Sequence, residues 1–133
     1  MSRSLIQTAN PSTQTVAVGG ILNLGSVLRR FGCNCRLSGN AIEVEGEGYY
    51  EINSAITLTP TAAGNATVAL YVDGVAIQGA TATGGITTVG NSVTLPIITT
   101  IRKSCCSGAS QITLVLTAGA STVNNVSVRV TKV

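Results

Sequence analysis

Residues 66–76 read ATVALYVDGVA, and this stretch predicts two antiparallel strands joined by a tight turn. Val68, Leu70 and Val72 alternate with small or polar residues, which is the period of two expected of a strand with one buried face. Asp73 and Gly74 follow directly, and this dipeptide is a strong signal for a two-residue hairpin. The stretch therefore predicts an antiparallel sheet.

The same alternation recurs along most of the chain, and the regular spacing of short apolar runs from Gln14 onward predicts a sandwich or barrel. The other predicted inward-facing sets are Ile42 and Val44; Tyr50, Ile52, Ile56 and Leu58; Ile112, Leu114 and Leu116; and Val126, Val128 and Val130. Pro96 cannot donate a ladder hydrogen bond, so it predicts an edge strand or a bulge within residues 92–101.

Three segments lack a clear strand pattern. Residues 1–13 contain Pro11 and no periodicity, and they predict an N-terminal arm outside a jelly-roll domain of residues 14–133. Residues 26–31 fit either one helical turn or a strand. The Thr-, Ala- and Gly-rich stretch 79–90 predicts a long, mobile loop.

The composition favours a protein that associates with other chains. The 133 residues suit one domain, 44% of them are hydrophobic and only 10% are charged. Soluble domains average roughly 25% charged residues, so much of this surface must be neutral or apolar. Buried subunit interfaces are the favoured interpretation, and a weakly charged monomer is the alternative.

Catalytic sites and cofactors are not expected. The chain has no His, which excludes a Ser-His-Asp or Cys-His arrangement within it. Glu43, Glu45, Glu47 and Glu51 are interpreted as solvated surface acids, with a calcium site that also uses Asp73 as the weaker alternative.

Nucleic acid and membrane are not expected as partners. The net charge is only +3, and one Phe, three Tyr and no Trp offer few stacking platforms for bases. No apolar run approaches the roughly 18 residues of a membrane helix, and the first ten residues do not resemble a signal peptide. Synthesis in the cytoplasm is the expectation.

The four cysteines are Cys33, Cys35, Cys105 and Cys106. One residue separates the first two cysteines and none separates the last two, whereas zinc sites usually have two-residue spacers. This spacing and the absence of His argue against a zinc site. In an extended strand Cys33 and Cys35 would share one face, whereas Cys105 and Cys106 would point to opposite faces. Two interpretations remain: a disulfide that joins the first pair to the second, within or between chains, or free thiols.

Gly48, Tyr50 and Ile52 resemble the Gly-x-Tyr-x-Phe signature of the complement-q globular head, with Ile52 in place of Phe. In that family a long inward-facing strand, a short turn and a Val-x-Leu strand follow, and residues 56–70 resemble that order. The resemblance to the complement-q and tumour necrosis factor family covers nearly the whole chain. It implies an antiparallel two-sheet jelly-roll sandwich that assembles as a homotrimer.

The scarcity of aromatic residues makes the chain more similar to small structural proteins of phages and prophages of Gram-positive bacteria, which resemble the same jelly roll. Small, neutral residues opposite the inward sets suit close packing of subunits. The candidates for a trimer interface are Tyr49, Ala55, Thr57, Ala69, Tyr71 and Val115.

These observations lead to the hypothesis of a non-enzymatic virion protein of a bacteriophage, a capsid decoration or head-fibre-like homotrimer on the particle surface. Its expected partners are itself and the major capsid protein or other virion proteins, and its expected location is the virion. The alternative is a receptor-binding tip of a tail fibre or a spore-surface head domain that binds sugar or protein through its loops.

Overall fold

The computed structural model describes residues 4–104 and 108–133, and these residues form eleven strands. The strands are β1 (Leu5–Asn10), β2 (Gln14–Val16), β3 (Ser26–Phe31), β4 (Cys35–Ser38), β5 (Ala41–Val44), β6 (Gly48–Pro60), β7 (Gly64–Val72), β8 (Val75–Ile86), β9 (Val93–Lys103), β10 (Ser110–Ala118) and β11 (Ser121–Lys132). Within the described residues there is no helix that could span a membrane.

The strands form two antiparallel sheets. The six-stranded sheet has the order β3-β1-β11-β6-β9, with β2 beside β11, and the five-stranded sheet has the order β4-β5-β10-β7-β8. Strands that are distant in sequence, such as β1 and β11, lie side by side, which is typical of a jelly roll. The predicted all-β, two-sheet sandwich is confirmed.

The core lies between the sheets and is built from the residues that alternation predicts. Tyr50, Ile52, Ile56 and Leu58 all have no exposed surface, and the apolar inward residues of β10 and β11 are at most 2% exposed. Burial of each such side chain stabilises the fold by about 1.5–3 kcal/mol relative to exposure. The inward-facing sets are therefore confirmed, with Val72 only partly buried.

The predicted hairpin at Asp73 and Gly74 is also confirmed. The φ angles of the two residues are 53° and 80°, the left-handed values that a type I′ turn requires at both central positions. Pro96 lies in β9, an edge strand of the six-stranded sheet, as its missing N–H predicts.

The prediction that residues 1–13 form an arm outside the core is wrong for residues 5–10. Strand β1 pairs with β3 on one side and β11 on the other, and Ile6 and Thr8 have no exposed surface. The period of two was hidden because two of the three inward residues, Thr8 and Asn10, are polar. Residues 26–31 accordingly form a strand, the outer neighbour of β1.

The prediction of a long loop at residues 79–90 is wrong as well. Strand β8 continues to Ile86, and its second half pairs with residues 64–69 of β7. The hydroxyls of Thr67 and Thr83 lie 2.9 Å apart across this pair. An edge strand is paired on one side only, so small residues and glycines that bury little surface are tolerated there.

Gly25 allows the close approach of β3 to β1. Its φ is +79°, and a Cβ atom there would lie 2.2 Å from the carbonyl oxygen of Ala9. Only glycine fits this junction, where the loop from the five-stranded sheet returns to the six-stranded sheet.

Candidate subunit interface

The six predicted interface residues lie on opposite sides of the molecule. Tyr49, Ala55 and Thr57 belong to β6 and face outward from the six-stranded sheet, whereas the other three belong to β7 and β10 in the five-stranded sheet. One flat interface therefore cannot contain all six residues.

The predicted interface residues of the five-stranded sheet have little exposed side-chain surface. Ala69 is only 4% exposed, and Val115 forms a β-bridge with Ile21. The Gly19 amide donates to the Leu116 carbonyl at 2.7 Å, so this loop extends the sheet beside β10. Ala69, Val115 and the half-buried Tyr71 thus offer little free surface to a second subunit.

The outer face of the six-stranded sheet is open and carries large apolar side chains. Ile98 is 72% exposed, Phe31 is 55% exposed and Tyr49 is 54% exposed. Each such side chain would gain about 1.5–3 kcal/mol from complete burial. Large apolar side chains left exposed on an open sheet face are typical of a protein–protein contact surface.

The centre of this face is a shallow depression of about 350 Å³. Small residues of neighbouring strands form its floor: Ala55 pairs with Pro96 on β9 and with Ser127 on β11. Ile98 and Arg129 stand at its edge. Small side chains at the centre allow another backbone to approach closely.

The charges on the central strands of this face are few and of both signs. Arg129 of β11 is opposite Asn53, and the neighbouring pair on the same face joins Thr131 to Glu51 of β6. Within residues 4–104 and 108–133 neither charge forms an ion pair. Arg102 lies over the ring of Tyr49, 5.9 Å from its centroid, which is a cation–π geometry.

The acidic residues lie at the surface and do not converge. Glu43 forms an ion pair with Arg36, and hydrogen bonds from Arg36 and Gln111 lower the pKa of the Glu43 carboxyl. The Asp73 carboxylate accepts a hydrogen bond from the backbone N–H of Gln111 at 2.9 Å. In the described part of the chain, no group of three potential metal ligands comes together.

The first two cysteines occupy different environments, which corrects the expectation that they share a strand face. Cys33 is exposed in the turn after β3, whereas Cys35 begins β4 and is only 1% exposed. Burial raises the pKa of the Cys35 thiol to about 11, against the opposing effect of Arg30 and Lys132. Both are free thiols in the structure, and Cys105 and Cys106 lie outside the described residues.

No protein-family model and no curated protein matches the sequence. The structure is similar to murine APRIL (TM-score 0.76, 9% identity, covering 99% of this chain and 100% of that chain). It is also similar to the globular domain of zebrafish complement 1qA (TM-score 0.72, 8% identity, 96% of this chain and 94% of that chain).

A third similar structure is the vertex protein P5 of PRD1 (TM-score 0.60, 13% identity, 98% of this chain and 96% of that chain). At these identities the likeness shows the fold alone. The chain has the two-sheet jelly-roll fold, and the similar structures with the higher TM-scores are APRIL and the complement 1qA globular domain.

Sequence reasoning missed Ile98 and Phe31, which are among the most exposed apolar residues of the six-stranded sheet. Ile98 follows Ile97, and two adjacent isoleucines do not reveal which one points inward. Pro96 carried the available signal: it pairs with the outward residue Ala55, so Ile98, two positions later, faces outward too.

Proposed function

We propose that this chain is a non-enzymatic structural protein of a bacteriophage particle, which forms a homotrimer and sits on the particle surface as a capsid decoration or head-fibre-like protein. The observation that carries the proposal is the open outer face of the six-stranded sheet, which has a floor of small residues around Ala55 and the exposed Ile98 at its edge. Its partners would be two further copies of itself and the major capsid protein or another virion protein.

In a cyclic trimer each subunit would have this face covered by a neighbouring subunit. Head-to-tail contacts close into a ring when the rotation between neighbours permits, and the exposed apolar side chains of this face are then buried. Obligate interfaces commonly exceed about 2,000 Å² and are more apolar than the remaining surface. The small floor around Ala55 suits such close packing.

The likeness to the PRD1 vertex protein supports the choice of a phage particle. It covers nearly the whole of both chains, and that protein is a vertex protein. The eukaryotic proteins with this fold do not share that setting, so the virion remains the part of the proposal that needs a direct test. A virion protein would be made in the host cytoplasm.

The trimer is tested by replacing Ile98 with Asp and measuring the mass in solution by light scattering. Wild type is expected at about three times the chain mass of 13.4 kDa, and the variant at the mass of one chain. A buried Asp without a partner would cost several kcal/mol at each interface. Val75→Asp is the matched control, because Val75 is 66% exposed at the hairpin in the other sheet and should not change the mass.

A wild-type monomer at micromolar concentration, or a trimer that persists in Ile98→Asp, would refute this interface. The charges give a second test: Arg129→Glu and Glu51→Arg should each weaken the trimer, and their combination should restore it if the two side chains pair between subunits.

The location is tested by cryo-electron microscopy of intact particles together with the copy number per particle. Decoration predicts density at repeated positions over the shell and a copy number that matches them. A few copies at a fibre tip would instead support the receptor-binding alternative, and absence from purified particles would refute both.

A further inference from the structure

A second concave site lies where the edges of the two sheets meet, between β8 and β9. It has a volume of about 460 Å³ and is open to solvent on one side. Its walls include Val72 and Ile77 from the five-stranded sheet and Thr100 and Ile101 from the six-stranded sheet. Thr100 and Arg102 reach the groove from the outer face of the six-stranded sheet, whereas Ile101 and Lys103 alternate with them and face the core. The depression around Ala55 proposed for trimer formation is lined by other residues.

Lys103 and Ser110 border the groove from inside the sandwich. Lys103 occupies the last inward position of β9 and is only 5% exposed, and Ser110 occupies the first inward position of β10 and is 8% exposed. The ammonium Nζ donates to Ser110 Oγ at 2.6 Å, so this hydrogen bond joins the two sheets across the end of the core. Lysine is almost never buried to this degree without a charged partner.

The charge of Lys103 is not balanced by the protein. All five acidic residues of the chain belong to the described part, and none of them forms an ion pair with Lys103 there. Among the described residues the hydrogen-bond partner of this ammonium is the neutral Ser110 hydroxyl, which offsets only part of the cost of removing the charge from water. An anion in the groove would remove that cost.

We propose that this groove binds the carboxylate of a small organic acid whose remaining body is apolar. The carboxylate would pair with Lys103 Nζ, and it would accept a hydrogen bond from the Ser110 hydroxyl, whose own hydrogen is free because its oxygen is the acceptor for Lys103. Val72, Ile77 and Ile101 would contact the apolar body. Arg102 also lines the groove and adds a second positive charge at its mouth. The apolar walls nevertheless disfavour a strongly hydrated dianion such as phosphate, so the preferred ligand is a carboxylate with an apolar body.

The test uses hexanoate as the probe and the full chain in its native oligomeric state, at about pH 7, where a carboxylic acid is ionised. Methyl NMR should show saturable shifts at Ile77 and Ile101 and leave Ile98 unchanged. Hexanamide, which has the same shape without the charge, should bind at least about tenfold more weakly, and inorganic phosphate should not displace hexanoate.

Lys103→Met should weaken hexanoate binding at least about tenfold. Arg29→Gln is the matched control, because it removes an exposed cation on the opposite edge strand of the six-stranded sheet, and it should leave hexanoate binding unchanged. The comparison with hexanamide on the wild-type chain needs no variant, so it holds even if Lys103→Met does not fold. The proposal is overturned if hexanoate does not saturate, if the amide binds equally well, if phosphate competes, or if the shifts centre on Ile98.

Discussion

Thr8 presents a buried hydroxyl that the fold does not use. The side chain has no exposed surface, and within the described residues its Oγ1 has no hydrogen-bond partner. On the two neighbouring strands Thr8 is opposite Val128 and Val27, so the position lies in an apolar row. Replacing Thr8 with Val should therefore stabilise the protein.

The size of the effect follows from the desolvation of the hydroxyl. An unpaired buried polar group costs about 1–3 kcal/mol, and Val has nearly the same shape and branching as Thr, so no cavity forms. We expect the free energy of unfolding to rise by about 1–2 kcal/mol. For a chain of this length that corresponds to a melting temperature higher by about 3–5 °C per kcal/mol.

The assay is urea unfolding of wild type, Thr8→Val and Thr8→Ser at one protein concentration, because subunit association also adds to apparent stability. Thr8→Ser keeps the hydroxyl and loses a methyl group, so it should destabilise by about 1 kcal/mol. If Thr8→Val proves less stable than wild type, the hydroxyl has a partner in solution and the reasoning is refuted.

Three further predictions concern backbone, thiol and surface charge. Gly25→Ala should lower the free energy of unfolding by about 2–4 kcal/mol, because the positive φ and the clash with Ala9 both disfavour a Cβ atom. Gly39→Ala is the control: Gly39 has a φ of +60° but open space around it, so the change should cost about 1 kcal/mol in the same urea titration. Equal losses for the two variants would contradict the clash at Gly25. The free energy of unfolding should fall by at most about 3 kcal/mol as the pH rises from 9.0, the ordinary pKa of a thiol, to about 11, the pKa of the buried Cys35, because the unfolded chain releases this proton first. Cys35→Ala should flatten this slope in urea titrations over the same pH range. Arg36→Gln should raise the pKa of the Glu43 carboxyl toward its ordinary value, as measured by NMR titration, and an unchanged pKa would show that the hydrogen bond is absent in solution.

The success of the sequence analysis is clearest in β6 and β10. Most of their inward residues are large and apolar and most of their outward residues are small or polar, so the period of two marks the buried face without knowledge of the partner strands. Strand β1 and the second half of β8 carry the same geometry with Thr, Asn, Ala and Gly, whose hydropathy does not distinguish inside from outside.

The candidate interface was only partly within reach of the sequence. Alternation identified Ala55 and Ala69 equally well as outward residues, but only the fold shows that Ala55 lies on an open face while Ala69 is 4% exposed. The loop that extends the sheet beside β10 comes from residues 19–22, roughly a hundred residues earlier in the chain. Local patterns contain no information about such a contact.

The sequence by itself determined which residues form most strands and which side of each strand is buried, because side-chain alternation is a local property with a fixed period. The tertiary structure alone decided which strands are neighbours, which outer face is left open, and that Lys103 meets Ser110 between the sheets. These features depend on pairing between distant segments, where the burial of the whole core, and not the preference of any one segment, selects the arrangement.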